Sequence, residues 1–194
     1  MPAPNVCATV VTHFLPRKPE ARMLLSDPTL LRQQACIGGH WCAADSAQSI
    51  AVHNPANGEL LGSVPKMGTT ETQRAITAAH AALPAWRSQA AAQRGKILRR
   101  WFELMLENQE DLALLMTLEQ GKPLAEARGE IAYAASFIEW FAEEGKRAYV
   151  DTIPSPLNSS RLMVIKQPIG VCAAITPWNF PAAMITRKAG AALA

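Results

Sequence analysis

The residues best suited to chemistry form one segment near the end of the sequence, Ile175-Thr176-Pro177-Trp178-Asn179-Phe180-Pro181. They follow the apolar run Val171-Cys172-Ala173-Ala174-Ile175, which reads as a buried parallel strand, and they precede a helix over Ala182 to Ala194 that Pro181 can open. Ligands of open α/β sheets gather at such carboxyl ends of strands. Pro177 and Pro181 fix φ on either side of Asn179 and leave its carboxamide little entropy to lose. A rigid amide donor suits a developing oxyanion, and removing such a donor costs about 2.7–4 kcal/mol of barrier. The same residues suit a proline-braced turn whose Asn bonds its own backbone, and composition alone favours that turn.

Positioning this segment needs a scaffold, and the preceding residues describe one. Ile50-Ala51-Val52-His53 and Leu60-Leu61-Gly62-Ser63-Val64, separated by Asn54-Pro55-Ala56-Asn57-Gly58, predict an antiparallel hairpin. Thr70 and Gln73 then read as a capping box for a first helix with Ala75, Ile76, Ala79, Leu83 and Trp86 on one face. Ile97, Leu98, Trp101, Phe102, Leu104 and Met105 predict a second helix, and Leu112, Leu115, Met116 and Leu118 a third that stops at Gly121. Pro123 opens a fourth, whose stripe of Ala127, Ile131, Ala134, Ala135, Ile138 and Phe141 runs to Gly145. From Asp151 to Lys166 the pattern is an extended two-stranded excursion. The last helix stands at the chain end with only one strand before it, less than a complete βαβ unit, so further polypeptide is expected at the C-terminus.

With 194 residues, 49% of them hydrophobic and 18% charged, the chain can build one sizeable core and lies far from the composition of disorder. The net charge is +3, and residues 1–34 hold four basic side chains against two acidic ones, which leaves the rest nearly balanced. No basic stripe of the nucleic-acid-binding kind is present, and no apolar run approaches the roughly 20 residues of a membrane span. Residues 1–26 read as a disordered extension, and residues 1–22 as the product of an upstream start codon, Met23 opening the first ordinary globular stretch. Cys7, Cys36, Cys42 and Cys172 form no C-x-x-C pair, and His13, His40, His53 and His80 lack metal-ligand spacing, so no metal site is expected and a reducing, cytoplasmic setting is. Cys172, inside the apolar run with no His or Lys beside it, reads as core packing rather than a nucleophile.

The segments Gln167-Pro168-Ile169-Gly170-Val171 and Ile175-Thr176-Pro177-Trp178-Asn179-Phe180-Pro181 resemble the aldehyde dehydrogenase superfamily, as does Met116-Thr117-Leu118-Glu119-Gln120-Gly121-Lys122-Pro123. The resemblance extends over about Asp27 to Ala194. Phe137-Ile138-Glu139-Trp140-Phe141-Ala142-Glu143-Glu144 and Met184-Ile185-Thr186-Arg187-Lys188 are more narrowly similar to the succinate-semialdehyde dehydrogenases of γ-aminobutyrate degradation. The implied fold class is α/β, the N-terminal part of the aldehyde dehydrogenase fold. On that resemblance, 27–150 holds a β hairpin and the helical part of the cofactor-binding domain. Residues 151–168 form an excursion that pairs between subunits of a homo-oligomer, and 169–194 the first strand and helix of a Rossmann-like sheet.

The resemblance also implies a reaction. A cysteine thiolate attacks the aldehyde, Asn179 helps hold the oxyanion, hydride passes to NADP or NAD (NADP favoured), and water hydrolyses the thioester. Ile175, Thr176, Pro177, Trp178 and Asn179 would line the cofactor cleft, with Trp178 as plain core the alternative. Arg187 would grip the carboxylate of succinic semialdehyde through two parallel hydrogen bonds; a surface arginine paired with an acid is the alternative the residues alone prefer. Lys188 would add supporting charge. The nucleophilic Cys and the water-activating Glu of the family match no position here, so the 194 residues are expected to be inactive alone. Two other readings remain open: an aldehyde dehydrogenase for another aldehyde, such as glutarate semialdehyde or an uncharged one, and a non-catalytic interaction protein that docks on complete subunits.

Overall fold

The computed structural model describes residues 25–194. Most of the expected extension, residues 1–24, lies outside them, but its boundary moves: Leu25 is only 5% exposed, and the Ser26 and Asp27 amides donate to the two carboxylate oxygens of Asp111 at 2.9 and 2.7 Å. The order Leu25-Ser26 acquires is tertiary, and nothing local announces it.

Two hairpins lead the chain. β1 (Ala35–Ile37) and β2 (His40–Cys42) pair antiparallel across Gly38-Gly39, both with positive φ as a two-residue primed turn requires. β3 (Ser49–His53) and β4 (Leu60–Pro65) form the hairpin expected from the sequence, with a bulge between Val52 and His53. In its loop the Asn54 side chain accepts the Ala56 amide at 2.9 Å, and Asn54 and Glu59 close the turn through the Asn54 N–H at 2.8 Å.

Helix α1 (Thr69–Arg87) begins one residue before Thr70, and Glu71 rather than Thr70 shapes its start. The buried Glu71 carboxylate accepts the Asp45 amide at 2.8 Å and the Gly68 amide at 2.9 Å, tying helix to hairpin where Thr70 and Gln73 could satisfy only the helix. Helices α2 (Ala91–Glu107), α3 (Gln109–Gln120) and α4 (Leu124–Glu144) fall where the apolar periodicity puts them. Gly121 ends α3 in the left-handed region with its amide on the Thr117 carbonyl, and a Cβ there would stand 3.0 Å from Pro55 of the hairpin loop.

Apolar burial centres on α4. Ala134, Ala135, Ile138 and Ala142 pack with Leu98 and Met105 of α2 and Ala183 of the last helix, while Ala127 and Ile131 pack with Ala113 and Met116 of α3. Small residues dominate this face, so the helices approach closely; a Cβ on Gly95 would lie 2.7 Å from the Ala142 carbonyl oxygen. No described helix is long and apolar enough to cross a membrane.

After α4, β5 (Asp151–Ile153) and β6 (Leu162–Val164) pair antiparallel as the expected excursion, with every residue exposed. Helix α5 (Pro181–Leu193) opens on its proline as the sequence predicts. Between them the expectation of a buried strand fails: Val171-Cys172-Ala173-Ala174-Ile175 has no ladder partner and is exposed throughout, Ile175 at 93%. A strand needs neighbours on its hydrogen-bonding edges, and the three described sheets are separate two-stranded ribbons. Cys172 is therefore exposed, and its expected place in a core is corrected.

Candidate active site

Asn179 sits in a bend over residues 178–180 just before α5, and side chains from the α3–α4 junction hold that bend. Gln120 Nε2 donates to the Trp178 carbonyl at 2.9 Å, and Lys122 Nζ donates to the Asn179 carbonyl at 3.1 Å. The Lys122 ammonium also lies 4.3 Å from the centroid of the Phe180 ring and forms an ion pair with Glu130 of α4. Gln120 must turn its NH2 to Trp178, because a carbonyl can only accept, and its buried Oε1 has no partner among the described residues.

Glu130 explains how α5 starts without a capping side chain of its own. Phe180 occupies the N-cap position, where its side chain offers no acceptor, and Pro181 has no amide to satisfy. The next two amides, Ala182 and Ala183, donate to Glu130 Oε1 at 3.0 and 3.3 Å. A carboxylate from another helix does the work of an Asp or Ser cap and adds a favourable charge at the positive end of the helix dipole. The Glu130 side chain is 1% exposed and that of Lys122 12%, so the pair is closed from solvent on the Glu130 side.

The turn whose Asn bonds its own backbone is not what forms. Among the described residues Asn179 is engaged through its main-chain carbonyl, while its side chain carries no hydrogen bond and the residue is exposed. Ile175, Pro177 and Trp178 are also exposed and Thr176 is half-buried. At 79% exposure Trp178 is not core, so that alternative falls. These apolar and aromatic side chains stand on an open run rather than in a cleft, and no group that would select NADP over NAD is among them.

Arg187 lies on α5 six residues beyond Pro181, about 9 Å of rise. It is half-buried, with Nη2 2.9 Å from Met184 Sδ, and no carboxylate among the described residues lies within ion-pair distance of it. The ordinary surface ion pair is thus not formed. Lys188 is exposed.

Sequence reasoning found the bend and missed the residues beneath it. Gln120 and Lys122 lie inside the Met116–Pro123 segment that carried the resemblance, but their partners are more than fifty residues away. Glu130 had no local sign, although the missing cap at Phe180 pointed to an acceptor from elsewhere.

Residues 41–194 match the aldehyde dehydrogenase family as a whole. The chain is 72% identical over 172 residues to a glutarate-semialdehyde dehydrogenase of Pseudomonas putida and 70% identical over 172 residues to the NADP(+) succinate-semialdehyde dehydrogenase of Escherichia coli, in each case over 89% of this chain and 36% of the relative. The fold superposes on a crystal structure of an Escherichia coli NADP-dependent enzyme with a TM-score of 0.86 at 70% identity, covering 87% of this chain and 35% of that one. A succinate-semialdehyde dehydrogenase structure from Burkholderia pseudomallei gives 0.86 at 65% identity, with 88% and 35% covered. The chain spans about a third of the length of the relatives it matches. Its α/β architecture is that of their N-terminal part, and the chain belongs to the aldehyde dehydrogenase family.

Proposed function

We propose that these residues form the N-terminal part of an NAD(P)-dependent dehydrogenase that oxidises succinic semialdehyde to succinate, with NADP the favoured cofactor. The observation that carries the proposal is the bend at 178–180: it is anchored through main-chain carbonyls, so the Asn179 carboxamide stays free to donate to a developing oxyanion. Ile175, Thr176, Pro177, Trp178 and Asn179 would lie along the cofactor, which accepts the hydride when bound. Arg187, unpaired with any described carboxylate, would hold the substrate's far carboxylate. The thiolate nucleophile and the water-activating glutamate would come from polypeptide outside these 194 residues, and the β5–β6 ribbon would serve a homo-oligomer of the complete enzyme in the cytoplasm.

The name of the Pseudomonas putida relative favours a second substrate, glutarate semialdehyde, one methylene longer. Both aldehydes carry a terminal carboxylate, so both use the same role for Arg187.

The test joins this chain in frame to the C-terminal two thirds of the Escherichia coli relative and follows NAD(P)H formation with each aldehyde. Asn179→Ala is expected to lower kcat roughly 100- to 1,000-fold with little change in KM. An unchanged kcat removes Asn179 from oxyanion stabilisation, and stable assembly without turnover in the parent fusion favours the non-catalytic docking role.

A further inference from the structure

The bend that carries Asn179 is held from beneath by three side chains that make no contact a reacting aldehyde would need. Gln120 fixes the carbonyl of residue 178, Lys122 that of residue 179, and Glu130 the amides of residues 182 and 183. The attachments therefore bracket Asn179 on both sides along the main chain. Lys122 and Glu130 are coupled to each other, so the two sides of the bracket are not independent. The donors of the Lys122 ammonium are directed at Glu130 and the Asn179 carbonyl, and its charge rests on the Phe180 face, which leaves it unsuited to bind a ligand anion.

We propose that Lys122, supported by Gln120 and Glu130, is a positioning residue that sets the direction of the Asn179 carboxamide by fixing the main chain on which it is mounted. The proposal rests on the oxyanion role given to Asn179 above. Pro177 and Pro181 restrict the φ angles of the segment, but restriction of φ does not fix where the segment stands relative to the helices. The Lys122–Glu130 pair supplies that reference. It links the carbonyl of Asn179 to the body of α4, the helix on which the core is built, and it uses the same carboxylate to seat the first turn of α5. Removing Lys122 strands a buried carboxylate, while the Glu130 acceptors for the α5 amides remain.

Two measurements test the assignment. In the fused enzyme, Lys122→Met is expected to lower kcat roughly 10- to 100-fold, the scale of an ångström-sized misplacement, while KM for the aldehyde stays nearly constant. Glu130→Gln keeps an acceptor for Ala182 and Ala183 and loses the charge that holds Lys122, so it is expected to lower kcat in the same way. In the 194-residue chain, hydrogen exchange separates the two functions of Glu130. Glu130→Ala should speed exchange at the Ala182 and Ala183 amides, Glu130→Gln should leave them protected, and Lys122→Met should leave them protected too.

Lys122→Met with kcat within about twofold of the parent, beside an Asn179→Ala that retains its large loss, would overturn the positioning role and leave the oxyanion role standing. If Asn179→Ala itself costs nothing, both fall together. Should Lys122→Met not fold, Gln120→Leu removes only the bond to the Trp178 carbonyl and leaves the ion pair intact. It is expected to lower kcat without raising KM, and an unchanged kcat there counts against the proposal.

Discussion

Arg187 joins a fixed charge to a half-buried position on a helix whose start is seated by Glu130. Among the described residues Met184 Sδ is its hydrogen-bond partner, and the other donors of its guanidinium have none. Replacing it by Leu in the fused enzyme is expected to weaken binding of succinic semialdehyde by about 1.5–3 kcal/mol, the loss of a charge-assisted pair. An uncharged aldehyde of similar length should bind as before, and comparing the two KM values shows whether a carboxylate is recognised. The bend at Asn179 could be read from the sequence because the constraint on it is local: a proline two residues to either side, and a change from apolar run to helix. The side chains beneath it could not. Gln120, Lys122 and Glu130 act across 58, 57 and 52–53 residues, and periodicity carries no information about which helix end meets which loop.

At the scale of elements, the helices and the β3–β4 hairpin were legible because their signals are periodic and their stops are chemical, with Gly121 in the left-handed region and Pro181 in the first turn. The β1–β2 hairpin has three-residue strands, too short to show alternation. The Val171–Ile175 run looked like a buried strand because its apolar content is real, but burial of a strand belongs to the sheet around it. Carboxylates tie distant parts of the chain together here, Asp111 holding the Ser26 and Asp27 amides and Glu71 joining the start of α1 to Asp45. The Asp27 and Ser26 amides hold the Asp111 carboxyl below its ordinary value of 3.8, and the amides of Asp45, of Glu71 itself and of Gly68 hold Glu71 below 4.5. A carboxylate whose pKa is lowered by folding stabilises the folded state at pH above its ordinary value, and that contribution is lost as pH falls through the lower, folded value. The thermal midpoint of the chain is therefore expected to drop below about pH 4. Asp111→Asn and Glu71→Gln should each flatten that decline, which a series of melting curves between pH 3 and 6 would reveal; parallel curves for parent and variants would exclude these two carboxylates as the cause.

The described residues pair a helical body with exposed two-stranded ribbons. α4 collects the core, whereas Ile169, Val171, Ile175 and Trp178 are exposed, and among the described residues the β5–β6 ribbon has no further strand on either edge. Exposed apolar side chains and unpaired strand edges both favour association. The 194-residue chain is expected to self-associate as its concentration rises, with sedimentation velocity showing growing species above the monomer. A monomer that melts in one cooperative step over the same range would mean that the bare run is tolerated as it stands.

The placement of α5 has a consequence in time. Its residues close the core over Ala134 and Ile138, yet they begin at Pro181, well after α4 ends at Glu144. During translation at about 5–20 residues per second, the ribosome releases α4 some 2–7 s before the helix that covers it. For that interval the nascent chain exposes the apolar face that α5 will cover, and Glu130 waits with its carboxylate for a helix end not yet made.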